Sequence, residues 1–239
     1  VMALTALHAY SDGELFLHSL RLALLIVVLF VAVIAGRILP FFASVVMQGE
    51  KPRILPALER LVWPAALLAL LSYALLPAGK FFTYLAAVAF AASAALHGLR
   101  WYFWRPFSSF RTPILAILYA GYLWLVAGFA MQAFAVLGLM PASPAWHMFG
   151  VGAGGVFIFG MMTRVALGHT GRPIKAPYLA LAGYLTLNVA LAVRVTLPLI
   201  GFADQAYLIA AILWIAAFLF YLVKYAPMLF APHIDGKPG

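Results

Sequence analysis

The residues best suited to chemistry in this sequence lie in the segment MMTRVALGHTGRP at 161–173. It ends a long apolar run and groups Arg164, His169 and Arg172 near two glycines. Neutral imidazole is a common ligand for metal ions, and the planar, permanently charged fork of arginine suits anionic groups. The glycines permit the close approach of another backbone or of a ligand. This pattern therefore predicts a binding site at the end of the apolar run.

Further histidines lie towards the ends of other apolar runs. His97 is followed three residues later by Arg100, so both side chains project from one face of a helix. His147 precedes a glycine-rich stretch in which Gly150 and Gly154 form a small-xxx-small face. Two interpretations of that stretch are open, either close helix packing or a flat cofactor lying against the glycines.

Helix length separates the histidines into two groups. At 1.5 Å per residue, His147 and His169 lie about 33 Å apart on a straight helix, so they do not share one metal ion. We therefore predict an inner site that pairs His97 with His169, and an outer site that contains His147 and His18. The alternative for each histidine alone is an amphipathic anchor at the membrane interface. Arg37, between a glycine and a proline, is a further candidate for binding anionic cofactor groups.

The composition identifies the elements that must position these residues. Of 239 residues, 67% are hydrophobic and 9% are charged, whereas soluble domains are about 45–50% apolar and about 25% charged. A hydrocarbon core about 30 Å thick requires about 20 apolar residues in a helix. We therefore predict an all-α, polytopic transmembrane helical bundle that forms one domain over residues 1–239. Its seven predicted spans are 17–47, 54–76, 81–104, 114–139, 145–167, 178–200 and 207–230. Gly36, Arg37 and Pro40 are expected to interrupt the inner part of the first span.

The basic residues indicate how the bundle is oriented. Most of them lie in the connections after the first, third, fifth and seventh spans, so the positive-inside rule places these connections and the C-terminus in the cytoplasm. The start of the chain is then outside, and the lipid bilayer is the principal partner. The net charge of +9 does not indicate nucleic acid, because the basic residues do not form one stripe. The absence of cysteine excludes disulfides and thiolate ligands.

Three segments carry a resemblance to a known family. They are AGRILPFF at 35–42, LHGLRWYFW at 96–104, and HMFGVGAGG at 147–155 followed by the segment at 161–173. The chain resembles the NnrS family, bacterial inner-membrane proteins that contain haem and copper and are associated with nitric oxide metabolism and resistance to nitrosative stress. The resemblance implies haem and copper as cofactors and nitric oxide as a small ligand. It points to cofactor-binding roles for His97, His147, His169, Arg37, Arg164 and Arg172.

The sequence departs from the family pattern in two respects. Ala35 stands where the family motif usually has the first of two glycines. The family is also longer, with a preceding hydrophobic half that carries its own histidine motif. Because the chain begins at Val1, we expect it to be a fragment of a longer protein, and the missing N-terminal half to be one of its partners.

Two other functions are open from the residues alone. The GRILPFF stretch is typical of the broken helices found in transporters, which favours a transporter or channel for a small solute or a metal. A scaffold subunit without its own cofactor is the second alternative. The sequence shows no nucleophile–base pair, and its six acidic residues lie in loops or near span ends. It therefore does not decide whether the protein is an enzyme.

Overall fold

Seven long helices make up the computed structural model of this protein, which describes residues 2–47 and 51–232, with side chains from residue 13 onward. Each is long and apolar enough to cross a membrane. The predicted all-α bundle and its seven predicted spans are confirmed. The helices are α1 (Met2–Val46), α2 (Pro56–Ala74), α3 (Lys80–Phe103), α4 (Pro113–Ala135), α5 (Ser143–His169), α6 (Tyr178–Thr196) and α7 (Ala203–Leu229).

Proline and glycine set many of the helix boundaries. α2 and α4 begin at Pro56 and Pro113, where the missing N–H of proline has no helical partner to lose. Gly79 and Gly201 precede α3 and α7 with φ angles of 130° and 91°, a backbone region that glycine adopts without strain. The resulting connections are short, so consecutive helices run antiparallel.

The first helix is continuous where the sequence predicts an interruption. α1 runs through Gly36, Arg37 and Pro40 to Val46, so the prediction that these residues interrupt the span is wrong. Proline removes one backbone hydrogen bond, but membrane helices tolerate this loss when neighbouring groups satisfy the freed carbonyl. The broken helix expected of a transporter is therefore not found in this part of α1.

α4 lies at the centre of the bundle. In its membrane-crossing window 56% of the residues are buried, compared with 22% for α7. It packs against α1, α3 and α5. α2 pairs with α3 on one side of the bundle, and α6 pairs with α7 on the other side, where both contact α5. The side chains of α3, α4 and α5 therefore meet in the protein interior.

Glycines bring α4 and α5 close together. Residues Met148–Val156 of α5 form a π-helix, and Cβ atoms placed at Gly152 and Gly160 would lie 2.8 Å and 2.7 Å from side-chain carbons of α4. At Gly150 a Cβ would meet only Leu24, at 3.8 Å. Close packing in this stretch therefore runs through Gly152 and Gly160 rather than through the predicted pair, and the cofactor interpretation stays a prediction.

Candidate functional site

His97 lies inside the bundle towards the end of α3 and is fully buried. Its ring stacks on Phe129 of α4, with centroids 5.3 Å apart. The ring of Trp63 on α2 approaches it edge-on at 6.2 Å. The Nδ1 atom of His97 lies 2.6 Å from the hydroxyl of Tyr122 on α4. Contacts from two neighbouring helices therefore fix the orientation of the imidazole.

Arg100 lies one turn further along α3 and is 2% exposed. Its guanidinium pairs with both carboxylate oxygens of Glu59 on α2, and the Nε–Oε1 distance is 2.7 Å. Its Nη1 also donates to the Tyr122 hydroxyl at 3.2 Å. Removing a charge from water is costly, and a bidentate carboxylate partner compensates for that cost. One chain of polar contacts thus links Glu59 to His97.

Aromatic rings and a glycine complete the surroundings of Arg100. Its Cζ lies 4.6 Å from the ring centroid of Trp104 and 5.2 Å from that of Trp63, within the range of cation–π attraction. A Cβ placed at Gly36 of α1 would lie 2.8 Å from Arg100 Nη1. α1 therefore reaches the guanidinium only because residue 36 has no side chain. The segments at 35–42 and 96–104, both noted in the sequence, therefore contact each other at Arg100.

The hydrogen bond between Tyr122 and His97 depends on which ring nitrogen of His97 carries the proton. Arginine only donates, so the Tyr122 oxygen accepts from Arg100. Two arrangements satisfy the remaining contact: Tyr122 donates to Nδ1, or the Nδ1–H of His97 donates to Tyr122. In the second, Nε2 carries a free lone pair, the usual state of a metal-binding histidine. In both, Nε2 is buried without a hydrogen-bond partner among the described residues, at a cost of about 1–3 kcal/mol.

The segment at 161–173 forms the end of α5 and the turn after it. His169 is the last residue of α5 and is exposed. Arg164 is half-buried, and its Cζ lies 3.5 Å from the ring centroid of Phe42 on α1. The structure thus gives His169 an exposed position and His97 a buried one. Their pairing at one metal ion stays a prediction.

The two other predicted arginines also lie at this end of the bundle. Arg37 follows Gly36 but is exposed on α1. Arg172 is half-buried in the turn after α5, where its Nη1 lies 3.5 Å from the carbonyl oxygen of Thr170. Neither forms an ion pair with a carboxylate in the part of the chain that the structure describes. Both side chains can therefore accept an anionic ligand.

Of the two histidines predicted for the outer site, His147 bonds within its own helix and His18 contacts α2. His147 on α5 lies 2.7 Å from the carbonyl oxygen of Ser143 through its Nδ1. A carbonyl only accepts, so Nδ1 is the donor and Nε2 of the neutral ring keeps its lone pair. His18 on α1 stacks on Tyr73 of α2 at 4.9 Å, and its Nε2 is buried without a partner among the described residues. Their joint binding of one metal ion stays a prediction.

The number of protein ligands that a cofactor requires decides whether these residues fit it. Within residues 13–47 and 51–232, no three or more His, Cys, Asp or Glu side chains come together to hold a metal ion. A haem iron needs only one or two axial ligands from the protein, because the porphyrin supplies four nitrogens. His97, with its Nε2 buried and without a partner among the described residues, would be the protein ligand to a haem iron. The described residues do not fit a copper site built only from three or more His, Cys, Asp or Glu ligands.

A known family matches most of the chain. The family model described as NnrS protein matches residues 1–233. The chain belongs to the NnrS family. The match spans nearly the whole of this NnrS-family chain, and the missing N-terminal half stays a prediction. No curated protein and no solved structure matches the chain.

Several residues around His97 and Arg100 were not predicted from the sequence. Among them are Glu59, Trp63 and Tyr122 of this NnrS-family protein. A signal for Glu59 was present, because it falls inside the predicted span 54–76 and carboxylates within membrane spans usually have a partner. The two aromatic residues lie in strongly apolar helices, where the sequence does not show which side chains face inward.

Proposed function

We propose that this NnrS-family chain binds haem through His97 and acts in nitric oxide metabolism, in the response or resistance to nitrosative stress. The observation that carries the proposal is the Nε2 atom of His97, which is buried and has no partner among the described residues. It lies within one of the segments that mark the family. The family resemblance supports haem and nitric oxide, and the geometry supports the choice of ligand.

Each residue around His97 has a role in this proposal. Donation from Nδ1–H to Tyr122 selects the tautomer with a free Nε2 and makes the imidazole a better donor to a metal. Arg100 holds the Tyr122 oxygen in place, and Glu59 balances the charge of Arg100. Because His97 is fully buried, neighbouring side chains such as Trp63 must move before any ligand reaches Nε2. A haem held by His97 would supply an iron centre that binds diatomic ligands such as nitric oxide.

The remaining predicted residues receive supporting roles. Arginines suit the carboxylate groups of a haem because the guanidinium donates two parallel hydrogen bonds. We assign this role to Arg37, Arg164 and Arg172. Further metal ligands, including any for copper, are assigned to His18, His147 and His169.

We further propose that the bundle lies in the bacterial inner membrane, with the His97 end towards the cytoplasm. The connections at that end carry most of the lysines and arginines, which the positive-inside rule places in the cytoplasm. The opposite end, which contains His147, then faces outward.

The test is the optical spectrum of the full chain, produced in membranes with an adequate haem supply and purified in detergent. We expect a Soret band, a stoichiometric amount of iron and a shift of the band when nitric oxide is added. His97→Gln is expected to lose the band and the shift, whereas the control His233→Gln keeps both. A wild-type protein without the band, or an unchanged spectrum of the folded His97 variant, would contradict the proposal.

A further inference from the structure

A cavity of about 320 Å³ lies between α5, α6 and α7 at the end of the bundle opposite His97. His147, Arg194 and Tyr207 contribute the polar part of its wall. The rest of the wall is apolar and includes Ala190, Ala211 and Trp214.

Arg194 places a positive charge in this cavity. It lies two residues before the end of α6, is half-buried, and holds its Cζ 4.2 Å from the ring centroid of Tyr207. It forms no ion pair with any carboxylate that the structure describes. A charge within a membrane protein is costly unless it is paired. The cavity therefore favours an anionic ligand.

The wall of the cavity is polar near the membrane surface and apolar deeper in the bundle. Arg194 and Tyr207 lie near the end of α6 and the start of α7, close to the membrane surface. Trp214 lies seven residues beyond Tyr207 on α7, about 10 Å deeper along the helix axis. A Cβ placed at Gly155 of α5 would lie 2.9 Å from Trp214 Cη2, so the indole packs directly against α5. A ligand that fits combines an anionic head with an apolar body.

We propose that this cavity binds an anionic phospholipid, with its phosphate at Arg194 and the first part of an acyl chain against Ala190, Ala211 and Trp214. The bilayer presents lipid headgroups at the level of the helix ends, where the Arg194 guanidinium can pair with an anionic phosphate. The site does not depend on haem binding at His97.

Native mass spectrometry of the purified full chain tests this site, with phosphatidylglycerol and phosphatidylcholine as probes. The wild-type protein is expected to bind phosphatidylglycerol about fivefold more tightly, the preference that one basic side chain near an anionic lipid supplies. Arg194→Gln is expected to abolish this preference, and Arg194→Lys, which keeps the charge, to retain it. Arg111→Gln, at an exposed arginine beyond the opposite end of the bundle, is the matched control.

Two further measurements separate a lipid site from a site for free anions. Ala211→Phe, which fills the apolar wall, is expected to weaken the binding of both lipids equally. Glycerol phosphate, the soluble headgroup, is expected not to compete at lipid concentrations. Equal binding of the two lipids to the wild type, an unchanged preference in folded Arg194→Gln, or effective competition by glycerol phosphate would each overturn the proposal.

Discussion

Replacing Glu59 by alanine leaves the charge of Arg100 without its counter-ion inside the bundle. Arg100 is 2% exposed, and its carboxylate partner is contributed by α2 while the arginine itself lies on α3. The substitution removes two hydrogen bonds from the guanidinium. Water reaches the buried arginine poorly, so it does not replace the lost partner.

The loss of stability depends on the contacts that Arg100 retains in the variant. Removing one partner of a fully buried ion pair costs about 3–5 kcal/mol. The Glu59 side chain is 26% exposed, so part of its charge is already solvated. Arg100 also retains the Tyr122 hydroxyl and two cation–π contacts, each of the latter contributing about 0.5–2 kcal/mol. We therefore expect Glu59→Ala to lower the free energy of unfolding by about 2–3 kcal/mol.

The assay is reversible unfolding of the purified full chain in detergent, followed by tryptophan fluorescence. Glu14→Ala, at an exposed glutamate on α1, is the control and is expected to change the free energy of unfolding by less than about 0.5 kcal/mol. A double-mutant cycle with Arg100→Met isolates the ion pair. The double variant is expected to be more stable than the sum of the single effects by about 1–3 kcal/mol. Additive effects, or a Glu59→Ala variant as stable as the control, would refute the reasoning.

Two further predictions concern the neighbours of the ion pair. Gly36→Ala places a methyl group 2.8 Å from Arg100 Nη1 and is expected to cost about 1–3 kcal/mol in the same unfolding assay; Gly168→Ala, whose Cβ would meet nothing within 4 Å, is the neutral control. Tyr122→Phe removes the partner of the buried imidazole and is expected to lose haem to apomyoglobin about tenfold faster than the wild type. Tyr119→Phe, which loses a bond to a backbone carbonyl, is its control, and equal rates in the two variants would argue against the role of Tyr122.

The helices could be predicted from the sequence because the thickness of the bilayer core sets their minimum length. A bilayer core requires about 20 apolar residues in a helix, and each of the seven stretches of this length forms a span. The predicted interruption at Pro40 is wrong, since proline in a membrane helix does not require a break when neighbouring groups satisfy the backbone. Such compensation depends on packing between helices, and the sequence does not show that packing.

The site was predicted only in part, for a related reason. The spacing of His97 and Arg100 placed both side chains on one face of α3, and both contact Tyr122. The partners from α2 and α4 depend on how these helices rotate and slide against α3. Glu59 is 41 positions from Arg100, and helical periodicity relates only residues on the same helix.

Imidazole rescue of His97→Gly tests the central claim, that His97 Nε2 is a haem ligand, most directly. The measurement is the absorption spectrum of the purified variant, before and after the addition of imidazole, with and without nitric oxide. We predict that the variant lacks the wild-type Soret band and that imidazole restores both the band and its shift with nitric oxide. A variant with the wild-type spectrum in the absence of imidazole would contradict the claim.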